Sequence, residues 1–213
     1  MTRTGILLTG MLAVAACAGP AREAETASPT PALERAARAD SVRRHYTRAD
    51  VDFMTGMIVH HAQALVMAGM APSHGASEPL RTLAARIING QNDEIALMQR
   101  WLRDRGEPVP EVDEAGRVSG HAGHAPGTMA GMLTPEQMRR LDAARGGEWD
   151  RLFLTYMIQH HQGALVMVDE LFATHGAGQG DETFRIASGI GADQATEIDR
   201  MQRMLEERIF DEP

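Results

Sequence analysis

The sequence predicts an all-α fold in which a pair of helices occurs twice, and three observations carry that prediction. Met57-Ile58-Val59-His60-His61 recurs as Met157-Ile158-Gln159-His160-His161, a shift of 100 residues, and Phe53, Thr55, Ala64, Leu65, Val66 and Met67 recur at the same shift as Phe153, Thr155, Ala164, Leu165, Val166 and Met167. Neither copy contains Pro, and each is about as long as a long helix. Downstream of the first copy, Ala84, Ile87, Ile88, Gln91, Glu94, Ile95, Met98, Trp101 and Leu102 keep a helical period. Part of that stripe returns as Gln194, Glu197, Ile198, Met201 and Leu205, now shifted by 103 residues.

In chain order, Met1 to Ala16 combine a basic start (Arg3) with an apolar run too short to span a bilayer, as in a secretion signal. Val14-Ala15-Ala16-Cys17 resembles a lipobox, so Cys17 is expected to be acylated and to tether an exported protein to a bacterial membrane. As the only cysteine it forms no intrachain disulfide. Residues 18–46, rich in Ala, Glu, Ser, Thr and Pro, read as a flexible tether, with Ala32 to Arg44 either a helix or its continuation. The folded domain is expected over 47–210, with repeats at about 47–106 and 134–210.

Thr47 or Asp50 is the expected cap of the first helix, which closes near Met70 ahead of Pro72 and Gly75. A second helix is expected from Ser77 to Arg105, stopped by Gly106 and Pro108. The linker 107–133 is too rich in Pro and Gly to predict an element. It carries His121, His124, Met129 and Met132, pairs suited to capturing soft metal ions as a separate, weaker site. Thr134-Pro135-Glu136-Gln137 reads as a capping box that opens a short helix to about Ala144. Gly146-Gly147 should end it, and the second His-pair helix should run from about Glu148 to Thr174. Gly189 and Gly191 are expected to interrupt the last helix. His74 and His175, each before a Gly at a helix end, are expected to be structural.

On a helix, Met57 shares a face with His60 and His61, with Ala64 on the next turn, and one His of each pair points into the apolar stripe. Paired imidazole and thioether groups suit soft or borderline metals, so Met57, His60, His61, Met98, Met157, His160, His161 and Met201 are candidate ligands, Cu(I) above all, with silver as an alternative. Glu94 and Glu197 sit in apolar stripes and need partners; a His or a His-bound metal would serve. The 213 residues are 43% hydrophobic and 23% charged, as in globular proteins, and include 14 Met. A net charge of −8 without Lys excludes a general nucleic-acid binder.

With these motifs laid out, the chain resembles a bacterial ferritin-like family of unknown function that includes a periplasmic copper-binding protein. The likeness rests on Asp52-Phe53-Met54 through His60-His61-Ala62-Gln63-Ala64, on Gln91-x-x-Glu94-Ile95-x-x-Met98-x-x-Trp101-Leu102 with Gly106-x-Pro108-Val109-Pro110, and on Asp150-Arg151-Leu152-Phe153-Leu154 through His160-His161-Gln162-Gly163-Ala164. It covers about residues 47–208. The resemblance implies a four-helix bundle of two repeated hairpins and, for at least one member, copper handling. Met204 stands where the first copy has Trp101, a departure that puts equal metal affinity of the halves in doubt.

The expected function is copper or silver buffering, resistance or delivery outside the cytoplasm, with a copper transporter or chaperone as partner. Two alternatives stand beside it. One is a structural or interaction bundle with buried His–Glu pairs. The other is a di-iron oxidase, which normally uses Glu-x-x-His on two helices, a motif this chain lacks. No catalytic residue is assigned.

Overall fold

A computed structural model describes residues 30, 45–120 and 129–211; the signal and lipobox with Cys17, nearly all of the tether, His121 and His124 lie outside them. Among the described residues there are four long helices and one short one: α1 (Arg48–Gly69), α2 (Glu78–Arg103), α3 (Pro135–Ala143), α4 (Gly146–Ala173) and α5 (Asp181–Asp211). The helices α1 and α2 form one antiparallel hairpin, and α4 and α5 form the other. The hairpins meet more closely through α1 and α4 than through α2 and α5. This is the all-α bundle of two hairpins that the sequence and the resemblance predict.

Local chemistry sets the helix starts. Thr47 caps α1: its Oγ1 accepts from the Asp50 amide at 3.3 Å, while the Asp50 carboxylate accepts from the Thr47 amide at 2.6 Å. Thr134 and Gln137 make the corresponding box on α3. Asp50 also reaches the other hairpin, where its Oδ1 accepts from the Gly178 amide at 2.7 Å. Asp150, 100 residues on, accepts from the Ser77 amide at 3.2 Å. The two hairpins are thus latched at both ends by repeat-related carboxylates, each buried and satisfied by a loop of its partner. His74 ties the helix ends on one side, both ring nitrogens lying 2.9 Å from carbonyls, Nδ1 from Met70 and Nε2 from Asp142. His175 is exposed.

Two expectations are corrected. Gly189 and Gly191 do not interrupt α5, which is continuous past both. A helical Gly costs only about 1 kcal/mol, and burial of the neighbouring Ala187 and Ile190 outweighs that. The described parts of the linker also pack. Glu111–Val112 pair antiparallel with Val118–Ser119, around a turn in which Asp113 Oδ1 accepts from the Ala115 and Arg117 amides, both at 2.9 Å. Composition concealed this local Asx chemistry. Further on, Met132 and Leu133 are buried.

The core is divided. One apolar cluster takes the C-terminal half of α1 (Ala64, Met67, Ala68), the start of α2 (Leu80 to Ile87), the N-terminal half of α4 (Trp149 to Met157) and Met201 of α5. The other takes Val51 to Ile58 of α1, Ile95 to Leu102 of α2, Ala164 to Leu171 of α4, and Ala187 and Ile190 of α5. Between them, in the middle of all four long helices, fall His60 and His61, Gln91 and Glu94, His160 and His161, Gln194 and Glu197. A polar layer therefore crosses the centre of an otherwise apolar bundle.

Candidate metal centre

All four histidines are buried, none more than 1% exposed. That corrects the expectation that only one of each pair points inward. The close approach of α1 and α4 brings the His60 and His160 rings to 3.8 Å between centroids, and the chain segment Met129 to Leu133 lies across both helices as a strap that covers the remaining side. His60 Nε2–H donates to the Ala130 carbonyl of this strap at 3.0 Å, and His160 Nε2–H donates to the carbonyl of His60, also at 3.0 Å. On the other side, His61 Nε2 lies 2.7 Å from Glu94 Oε2 and His161 Nε2 lies 2.6 Å from Glu197 Oε2.

These bonds decide the tautomers. A carbonyl or an ionised carboxylate only accepts, so the proton of each ring sits on Nε2, and in the neutral ring the lone pair sits on Nδ1. Each of the four Nδ1 atoms is buried and has no hydrogen-bond partner among the described residues. Burial, reinforced by the neighbouring His61, lowers the His60 pKa to about 3. His160 is lowered well below the ordinary histidine value, chiefly by burial and then by His60. Both rings are therefore neutral at pH 7. An unpartnered buried acceptor costs about 1–3 kcal/mol, and such exceptions call for an explanation.

The family described as "Domain of unknown function (DUF305)" matches residues 50–205. The chain belongs to the DUF305 family. Among solved structures, it is similar to a DUF305 fragment from Deinococcus radiodurans, at 27% identity and a TM-score of 0.64 over 76% of this chain and 98% of that one. A putative secreted DUF305 protein from Streptomyces coelicolor gives 27% and 0.62 over 75% and 93%. CopM in an Ag-bound form gives 27% and 0.55 over 74% and 96%. No curated protein matches.

In this DUF305 chain the candidate residues fall into distinct places. Met57 and Met98 are fully buried in one apolar cluster, and Met157 and Met201 in the other. Glu94 and Glu197, with side chains 12% and 24% exposed, line a cavity of about 160 Å³ between α2 and α5, together with Gln91, Asp193 and Gln194. Burial first, then Glu94 and Glu197, raises the Asp193 carboxyl above its usual range. Met129 and Met132 do not act as a free pair: Met132 is buried, whereas Met129 sits half-buried beside Gly56. Among the described residues, no three His, Cys, Asp or Glu side chains form a group able to hold a metal ion. Imidazole nitrogen and thioether sulfur, which mixed sites offer to soft ions, are the other donor types in and beside this layer.

Sequence reasoning missed the strap and the residues that seat it. Gln63 donates to the Leu133 carbonyl at 3.1 Å and accepts from the Leu133 amide at 2.7 Å, and Gln159 donates to the Gly131 carbonyl at 3.2 Å. At Gly163 a Cβ would lie 2.0 Å from the Ala130 oxygen, so only glycine permits this approach. A signal existed: Gly163 in mid-helix stands where the first copy has Gln63.

Proposed function

We propose that this protein is an exported metal-binding protein that holds copper as Cu(I), or silver, at the centre of the bundle, and that it serves in buffering, resistance or delivery. The observation that carries the reading is the set of four buried Nδ1 atoms without partners among the described residues, in a layer flanked by fully buried methionines. Nδ1 of His61 and of His161 are the proposed ligands, assisted by Met57, His60, Met157 and His160, with Met98 and Met201 as further thioethers. Glu94 and Glu197 accept from the far side of each primary ring, fixing its orientation and strengthening its lone pair. A purely structural role for the His–Glu pairs accounts for the Nε2 contacts but leaves the four Nδ1 atoms unexplained. The similarity to CopM, solved with silver bound, supports the choice of metal class.

The test is elemental analysis of protein purified without added metal, followed by titration under reducing conditions. Cu(I) and Ag(I) should bind and raise the melting temperature, while Zn(II), for which thioether is a poor ligand, should do so far less. Failure of both monovalent ions to bind, or a preference for Zn(II), sinks the reading.

Export is proposed from the Met1–Ala16 signal pattern and supported by the similarity to a putative secreted protein. Acylation at Cys17 is proposed to hold the domain on the membrane, where a transporter or chaperone for copper would meet it. Two or three acyl chains would hold firmly at roughly 0.8 kcal/mol per buried methylene, whereas one holds weakly. Cys17→Ser should release the protein from membrane fractions or leave it unprocessed. Mass spectrometry that finds an unmodified Cys17 thiol in the mature protein would rule the anchor out.

A further inference from the structure

The strap runs along the two histidine helices in register. Ala130 lies over His60 and Gly163. Met129, one residue earlier, lies over the turn before His60: a Cβ at Gly56 would stand 3.5 Å from Met129 Sδ and 3.5 Å from Met167 Cε. The Met129 sulfur and the Met167 methyl therefore border the same point, next to Gly56. They line an open groove of about 550 Å³ whose walls also include Phe53 and two carboxylates, Glu170 and Asp52, the latter paired with Arg48 at 2.9 Å.

The two copies of the repeat differ at this place. Gly56 corresponds to Tyr156, which carries a large buried side chain, and half-buried Met167 corresponds to Met67, which is fully buried. On the Gly56 side, no side chain from α1 occupies the space between Met129 and Met167. An open groove that pairs thioether sulfur with carboxylates suits a soft monovalent cation: carboxylates attract charge, and thioethers select by softness.

We propose that Met129 and Met167 form an outer thioether site that binds a soft monovalent cation, Cu(I) or Ag(I), at the groove beside the strap, separate from the buried histidine centre. The inference rests on the proposed metal-binding function and adds the place where the ion first meets the protein. A merely apolar cover for Phe53 and Leu171 would be served equally by leucine, which has similar volume and no sulfur. That difference supplies the test.

The probe is Ag(I), added to full-length protein carrying carbon-13 on the methionine methyls, with Met129→Leu and Met167→Leu used to assign the two signals. Both methyls should shift together during the titration, and the double variant should bind one fewer equivalent of Ag(I) than the parent while retaining its fold by circular dichroism. In protein with His61→Gln and His161→Gln the two methyls should still shift, since the outer site does not use those rings. Ag(I) binding by the parent with both methyls unmoved, or an unchanged equivalence in the Met129/Met167 double variant, overturns this inference alone. Absence of any Ag(I) binding by the parent overturns the proposed function and this inference together.

Discussion

Replacing His61 and His161 together by Gln should remove most of the Cu(I)-dependent rise in melting temperature while the chain remains a helical bundle. The glutamine amide keeps a donor for the carboxylates of Glu94 and Glu197, which accept from these rings at 2.7 and 2.6 Å. The half-buried acids therefore stay partnered, and the fold is spared the larger cost of leaving a charge alone. What Gln removes is the imine nitrogen. A site filled at a hundred times its dissociation constant stabilises the native state by about 2.7 kcal/mol, which for a domain of this size corresponds to roughly 5–10 °C. The double variant should show little of that shift in calorimetry under reducing conditions, and its Cu(I) affinity should fall correspondingly. An unchanged affinity and an unchanged shift would make these histidines structural, and the copper reading would fail.

What the sequence revealed of this site follows from what repetition and periodicity encode. The shift of 100 residues that pairs His60-His61 with His160-His161 also placed the helices. The intrusion of Glu94 and Glu197 into apolar stripes announced their partners, because a half-buried carboxylate has to meet a donor. Such features are local or periodic, and each can be read along one strand of text. The burial of His60 was not legible, since it depends on Ala130, 70 residues away, folding back over the helix. Nor was the role of Nδ1: spacing names the residue type, and only the hydrogen bond at Nε2 tells which nitrogen is left. The hairpin at Glu111–Ser119 was hidden for a different reason. Its stability comes from Asp113 turning on two nearby amides, and a count of Pro and Gly is blind to that.

Substituting Gly163 by Ala should destabilise the protein by about 2–4 kcal/mol, against the direction that helix propensity dictates. In the middle of a helix, Gly→Ala ordinarily stabilises by about 1 kcal/mol. Gly189, inside α5 with nothing within 4 Å of an added Cβ, provides that comparison, and Gly189→Ala should stabilise. At Gly163 the same methyl would stand 2.0 Å from the Ala130 oxygen and 2.5 Å from Gly131 Cα, both strap backbone that no rotamer change can move aside. The strap has to lift. His60 then loses its acceptor at Ala130, Gln159 loses its contact with Gly131, and the seats of Met132 and Leu133 loosen. Losing such buried hydrogen bonds costs about 1–3 kcal/mol each where a group is left unpaired, which exceeds the propensity gain. Urea unfolding of the two variants side by side reads the sign directly. If Gly163→Ala stabilises as Gly189→Ala does, the strap does not lie on α4 and His60 is not held beneath it.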